Sequence, residues 1–385
     1  MRIGLICLVA AYMLSQFYRA FLAVLAPVLQ ADIGAGPDDL ALASGVWFLT
    51  FALMQIPVGA ALDSIGPRRT AATLFTLGGA GGALLFALAQ SPQHLTLAMG
   101  LIGIGCSPVL MAAYYIFARS FSPKVFATLA AAIIGFGSLG NIAGSAPLAR
   151  TVEEFGWRQT MGGFSVLTLL IAALLWRTLQ DPPRMPRQPG SVLDVLRLRA
   201  LWPIFAMMFV CYAPAAGLRA LWAGPYAAHT FGADAGGIGR LTLVMGLAMV
   251  AGNFAYGPLD RWLGTRKWVI WTGNLGVVLG CLGLALWPGM GLQEATATFA
   301  VIGFCGASFG IVIAHGRAFV PPHLIGRGVT LLNLFGIAGA GIAQVITGQL
   351  HSAMQPAPYP AIFLYFAATT ALGLLVYLAA RDRTD

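Results

Sequence analysis

Twelve stretches of mostly apolar residues, separated by short polar connections, limit what this chain can fold into more than any other feature. They run 3–29, 40–62, 70–90, 95–118, 126–149 and 160–180, then 201–228, 237–259, 268–288, 295–319, 327–350 and 358–380. A hydrocarbon layer about 30 Å thick is crossed by a helix of about 20 apolar residues. Twelve such helices use nearly all of the 385 residues and leave no room for a separate soluble domain. Charged residues make up 9% of the chain and hydrophobic ones 58%. A soluble protein of this length carries about a quarter charged residues, so lipid is the expected solvent for most of the surface. The first stretch lacks a small-residue cleavage site after a short apolar core and is expected to stay as a helix.

A formal net charge of +9 would suit a nucleic-acid binder. The placement of the charge argues against one, because the basic residues fall in alternate loops. One set of loops holds Arg68, Arg69, Arg119, Lys124, Arg184, Arg187, Arg197, Arg199, Arg261, Arg266, Lys267, Arg327, Arg381 and Arg383. The other holds Asp32, Asp38, Asp39, Glu153, Glu154, Asp234 and Glu294, with Arg150 and Arg158 as its main basic exceptions. The positive-inside rule then places both termini and the central connection in the cytoplasm. Five cysteines stand singly in apolar stretches with no paired spacing, which speaks against a disulfide framework or a zinc site. The excess of Arg over Lys, with abundant Ala and Gly, points to a GC-rich bacterial source and hence an inner-membrane location.

The one long polar connection, Asp181–Arg199, is rich in Pro and Arg, and its Ser191–Arg199 portion reads as an interfacial amphipathic stretch. It divides the chain into an expected six-helix bundle over 1–180, a linker over 181–200 and a second bundle over 201–385. The halves repeat each other at offsets near 198–200. Ala118-Arg119-Ser120-Phe121-Ser122-Pro123 answers Gly316-Arg317-Ala318-Phe319-Val320-Pro321, Arg19-Ala20-Phe21-Leu22-Ala23 answers Arg219-Ala220-Leu221-Trp222-Ala223, and Gln55 answers Asn253. The expected fold is therefore an all-α membrane protein with twelve helices in two pseudo-symmetric bundles, of the kind whose halves rock about a central site.

The loop after the second stretch carries Gly59, Asp63, Gly66, Arg68 and Arg69. The loop after the eighth carries Gly257, Asp260, Arg261, Gly264, Arg266 and Lys267. Both resemble the loop motif of the major facilitator superfamily, G-x-x-x-D-R-x-G-R-R, with Ser64 standing where that family usually has Arg. The resemblance implies a transporter working by alternating access, with these loops acting as gates that lock the cytoplasmic side in the outward-open state. Asp63 is expected to accept hydrogen bonds from the N-terminus of a neighbouring helix, where negative charge is favoured. In the fifth stretch, Gly135, Gly140, Gly144 and Pro147 allow close contact and bending. They only partly resemble the family's exporter signature, whose Gly-Pro pair is missing.

Charge at membrane depth is costly and usually functional. Arg19 lies ~24 Å along the first helix at 1.5 Å per residue, and Arg219 stands at a similar depth in the seventh. No Asp or Glu occupies the middle of any stretch. A guanidinium offers a planar fork that matches carboxylate or phosphate, so the two arginines point to a small organic anion as substrate. The resemblance supports this, since helices 1 and 7 line the family's cavity. Gln16, Tyr18, Gln55, Tyr115, Trp222, Tyr226 and Asn253 are the leading additional substrate contacts, with Tyr114, Asn141, Asn274 and Asn333 behind them. Snorkelling arginines and polar side chains that only join helices remain the structural alternatives.

Met207 with Cys211, and Met245 with Met249, sit one turn apart on single helix faces, and soft sulfur ligands select Cu(I). A copper importer is therefore an alternative, as are a drug or metabolite exporter and a non-transporting receptor on the same scaffold. His315 is expected to serve structure or gating. No catalytic constellation, nucleotide-binding loop or cofactor motif is present in the sequence, so an enzyme is not expected. A monomer is.

Overall fold

The computed structural model describes residues 2–121, 123–183, 192–287, 289–321 and 324–384. At 2, 118, 123–128, 130, 131, 260 and 261 the backbone alone is described. Arg184 and Arg187, and the side chains of Lys124, Asp260 and Arg261, therefore lie outside the described residues. The described elements are all helical. Among the described residues eleven spans are long and apolar enough to cross a membrane, and a bent pair makes a twelfth.

In chain order they are α1 (Ile3–Ala20), α2 (Pro37–Ser64), α3 (Pro67–Ala87), α4 (Pro92–Phe117), α5 (Ala132–Ala143 with Ala146–Phe155) and α6 (Trp157–Thr178). There follow α7 (Arg199–Phe231), α8 (Ala235–Leu259), α9 (Lys267–Leu286), α10 (Leu292–Arg317), α11 (Ile325–Ala353) and α12 (Tyr359–Tyr377). Two helices are interrupted, the first unexpectedly and the fifth where its Gly and Pro allow bending. The first stretch breaks at Phe21 and resumes as Leu22–Ile33. The fifth bends by 43° between Ala143 and Ala146, where Gly144 and Ser145 precede Pro147. Proline removes a backbone donor and crowds the preceding turn, which is a standard cause of such kinks.

Contacts divide the chain into two compact units, one of residues 1–186 with 234–239 and one of 187–233 with 240–385. Each packs by glycine-mediated approach, as expected where lipid tails supply no hydrophobic drive between helices. In the first unit α5 lies so close to α1 that a Cβ at Gly140 would overlap the Met13 carbonyl, and one at Gly137 the Tyr12 ring. In the second, α11 lies as close to α7, with Gly339 against the Phe209 carbonyl and Gly336 against Met208. Gly137 and Gly140 stand 199 residues before Gly336 and Gly339, so the duplication extends to helix contacts.

Polar ties join helices within each unit. Tyr18 Oη shares a 2.8 Å hydrogen bond with Thr168 Oγ1, joining α1 to α6. Asn274 Nδ2 donates to Ser308 Oγ at 2.9 Å, joining α9 to α10. Gly34 (φ 69°) and Gly232 (φ 64°) end corresponding helices, each donating to the carbonyl four residues back while the next residue donates to the one six back. This left-handed cap favours glycine. The outer faces carry large apolar side chains, such as Leu77, Leu169 and Trp176 in the first unit and Leu279, Leu372 and Leu375 in the second. That surface suits lipid and not water.

Arg158, one of the two basic exceptions to the loop pattern, has a local explanation. Its Nη2 lies 3.0 Å from Asp32 Oδ2, and its Nη1 donates to the Ala89 carbonyl at 2.6 Å beyond the C-terminus of α3. It serves as a counter-ion and a helix-end donor.

Candidate functional site

Arg19 projects from α1 over the aromatic face of α2. Its guanidinium carbon lies 5.1 Å from the Trp47 ring centre, 5.9 Å from Phe48 and 5.3 Å from Phe51. Cations within about 6 Å of a ring face are attracted by its quadrupole, most strongly where water is excluded. Gln55, one turn beyond Phe51, is buried and donates to the Phe51 carbonyl at 3.1 Å. The spacing of Trp47, Phe48 and Phe51 is the sequence signal that could have disclosed this cluster, because residues four apart share a helix face.

Arg219 is 3% exposed and sits in a π-helical turn, Leu218–Trp222, within α7. Such turns are frequent at functional sites. Its Nε donates to the Thr242 carbonyl of α8 at 3.3 Å. Gly246, one turn further along α8, leaves the space the guanidinium occupies, since a Cβ there would lie 3.0 Å from Nε and Nη2. Thr242 and Gly246, which the sequence did not single out, complete the surroundings of Arg219.

The other candidates separate. Gln16 is buried near the Arg19 turn. Tyr18 is fully buried with its hydroxyl engaged by α6, which places it inside the first unit as an interhelical tie. Tyr115 lies 3.8 Å beneath the Arg119 guanidinium, next to the loop motif. Trp222 donates to Thr347 Oγ1 at 2.9 Å, and Tyr226 is enclosed by Phe231, Phe299, Tyr359 and Phe363, so both belong to the interior of the second unit. Asn253 is exposed and donates to its own helix at Met249. The sulfur pairs sit in tightly packed surroundings: Met207, Cys211 and Met245 are fully buried, and the Met245 and Met249 side chains lie against Gly303 of α10.

In the loop motif, the contacts of Asp63 differ from the helix cap expected of it. Among the described residues, Asp63 accepts no N–H from a helix N-terminus. Its Oδ1 lies 3.3 Å from Arg119 Nη2, and its side chain is 62% exposed. The capping role falls to Asp181, after α6, whose Oδ1 accepts the Arg68 N–H at 2.7 Å at the start of α3. Gly66 (φ 104°) abuts the same carboxylate, with no room for a Cβ. The second unit repeats the device. Asp382, after α12, accepts N–H bonds from Arg266 at 3.2 Å and Lys267 at 3.0 Å, and the Thr265 hydroxyl. Asp181 and Asp382 stand 201 residues apart, an offset that fits the other repeats. Nearby, His315 is buried between Tyr377 Oη at 2.6 Å and the Arg381 carbonyl at 3.0 Å.

These caps are expected to be measurable. Loss of an N-cap acceptor costs ~1 kcal/mol, so Asp181→Ala and Asp382→Ala should each lower the thermal midpoint of the purified protein. Burial pushes the Asp382 carboxyl up, but the bonds from Thr265, Lys267 and Arg266 together hold it below its ordinary value of 3.8. A carboxyl depressed in the folded state stabilises above its unfolded pKa and loses that contribution as pH falls through the folded one. The midpoint difference between wild type and Asp382→Asn should therefore be full at neutral pH and shrink below about pH 4. A constant difference down to pH 2 would contradict the assignment.

Comparison with known proteins fits this scaffold, an all-helical membrane transporter with internally repeated halves. The Major Facilitator Superfamily profile matches residues 8–218, more than half the chain. The chain belongs to that superfamily. It is 23% identical over 270 residues to the uncharacterized transporter YybO of Bacillus subtilis (strain 168), a match covering 63% of this chain and 61% of that protein's length. It is 26% identical over 351 residues to monocarboxylate transporter 11 of Mus musculus, covering 84% of this chain and 74% of the relative. Among solved structures, an inward-facing, occupied bacterial homologue of the human lysosomal transporter Spinster matches with a TM-score of 0.77 at 19% identity, covering 98% and 96% of the two chains. The nucleoside transporter NupG matches at 0.74 with 14% identity, covering 98% and 99%. At these identities the structures share the fold.

Proposed function

We propose that this chain moves a small organic anion across a bacterial inner membrane by alternating access of bundles 1–180 and 201–385, joined by the linker 181–200. Arg19 and Arg219 would supply the positive charge that holds the substrate. The observation that carries this reading is the environment of Arg219, a buried guanidinium on a π-helical turn with a glycine making room beside it. A fixed cation in a low-dielectric site favours an anion, and the planar fork favours a carboxylate. The relative named as a monocarboxylate transporter agrees with that chemistry. Gln16 and Gln55 are the neutral groups best placed near Arg19 to orient a substrate. The test is a thermal-stability panel on purified protein with carboxylates, phosphate esters, nucleosides and Cu(I), because a ligand of the native state raises apparent stability. Stabilisation by carboxylates is expected. Stabilisation by Cu(I) or by nucleosides alone would replace this reading.

In the same reading the loop motif gates the cytoplasmic side. The exposed Asp63–Arg119 pair is worth at most about 1 kcal/mol, enough to bias two nearly balanced conformations without holding the fold. Asp63→Asn should slow transport several-fold while leaving substrate affinity within a few-fold. Lost affinity with normal conformational exchange would mean that Asp63 touches the substrate.

Both termini are proposed to be cytoplasmic. A cysteine at exposed Ala200 should react with an impermeant maleimide only from the cytoplasmic side, and one at exposed Ala31 only from outside. Four of the five native cysteines are buried, which keeps the background low. The opposite labelling pattern would reverse the orientation.

A further inference from the structure

A groove between α3 and α6, on the outer surface of the first unit, encloses about 350 Å³ of open space. Its floor is made of small residues, Ala72, Ala172 and Ala173, and its sides of Leu77 and Leu169. At one end stand Trp176 and Arg177. Arg68, at the start of α3, places its guanidinium carbon 6.0 Å from the Trp176 ring centre, and exposed Arg69 follows it. The apolar trough thus runs from a cluster of three arginines into the band of exposed leucines that faces lipid.

Three arginines face one carboxylate at that end, leaving an excess of positive charge. Among the described residues the ion pairs are Arg119–Asp63, Arg158–Asp32 and Arg197–Asp194, and none involves Arg68, Arg69 or Arg177. The nearby carboxylate, Asp181, is engaged by the backbone of Arg68. The Arg68 Nε is buried with no hydrogen-bond partner among the described residues. From Arg177 back to Leu169 is ~12 Å of helix at 1.5 Å per residue, room for the first half of an acyl chain. An arginine fork matches a phosphate, and a tryptophan at the same level suits the interface between headgroups and hydrocarbon.

We propose that this groove is a binding site for one anionic phospholipid, with its phosphate on Arg177 and Arg68 and one acyl chain laid over Ala173 and Ala172. The lipid would bridge α3 and α6 beside the first gate loop, at the point where Asp181 already joins them. This inference rests on the groove alone and holds whatever the substrate is.

Native mass spectrometry of the full chain in detergent, titrated with dioleoyl phosphatidylglycerol, tests it. Wild type should retain one phosphatidylglycerol about tenfold more tightly than dioleoyl phosphatidylcholine. Arg177→Gln should remove that preference. Ala173→Phe, at an exposed position, should fill the groove and weaken retention similarly with every arginine in place. Gel filtration and circular dichroism check that both variants are folded, and Arg177→Lys should restore part of the preference if either check fails. Equal retention of the two lipids by wild type, or unchanged phosphatidylglycerol binding in the folded variants, would overturn the proposal. Glycerol phosphate competing as well as the intact lipid would also overturn it, since the site would then serve a soluble anion.

Discussion

Arg219→Gln is expected to weaken binding of a carboxylate substrate by about tenfold or more, and Arg19→Gln to do the same. Removing one charge-assisted partner from a desolvated site costs about 1.5–3 kcal/mol, which is tenfold to over a hundredfold in affinity. The two variants should differ in side effects. Arg219 fills the space beside Gly246 and bonds Thr242, so its loss also opens a gap between α7 and α8. Arg19 stands against three rings and is only half-buried, so Gln can be accommodated there with little change in packing. Gly246→Ala is a milder probe of the same group. The added Cβ would lie 3.0 Å from the guanidinium and nudge it by a few tenths of an ångström while every charge is kept, so a smaller loss of affinity is expected. Met207→Leu and Met245→Leu preserve volume in tightly packed positions and should bind substrate as wild type does. Isothermal titration of purified variants distinguishes these cases. Affinity lost in the Met variants and kept in the Arg variants would indicate a soft-metal site. Arg→Lys at either position should rescue partially, since Lys keeps the charge without the fork.

Gly140→Leu and Gly339→Leu are expected to be the most damaging single changes to the fold. A Cβ alone at either position overlaps a backbone carbonyl of the facing helix, Met13 in one unit and Phe209 in the other. A side-chain clash can be relieved by a rotamer, but a clash with backbone forces two helices apart. Overpacking of a tight core typically costs 1–3 kcal/mol and occasionally more, and the backbone contact places these sites at or above the upper end. Loss of monodisperse protein, or a large fall in thermal midpoint, is the expected reading. Gly162→Leu and Gly283→Leu, where nothing lies within 4 Å of the added Cβ, are the matched controls and should behave as wild type. Equal tolerance at all four positions would contradict the packing described here.

These sites also show what the sequence could and could not disclose. Apolar length fixed the number and order of helices, because the cost of unpaired backbone in lipid leaves helices as the spanning solution for such segments. Duplication fixed the pairing of Arg19 with Arg219 and of the two loops. Asp181 and Asp382 correspond at a similar offset, 201 residues, but neither lies within a recognised motif. Asp63 was expected at a helix end because negative charge is favoured there. The structure gives that place to an acid from the far side of its unit, a contact across 113 residues that no local spacing discloses. Tyr18 and Trp222 looked like cavity groups because polar residues in membrane helices serve ligands and neighbouring helices alike. Their partners, Thr168 and Thr347, belong to helices α6 and α11 within their own units, contacts that emerge only once the helices are packed.

The central claim, transport of an organic anion through the two arginines, is tested most directly by counterflow in proteoliposomes. Vesicles loaded with unlabelled lactate, pyruvate or succinate would be diluted into the same compound carrying a radiolabel, using wild type and the Arg19→Gln/Arg219→Gln double variant. Wild type should accumulate label from at least one carboxylate. The double variant, folded by gel filtration, should show no more than empty vesicles. Counterflow that persists undiminished without both arginines would contradict the account, while leaving the superfamily fold in place.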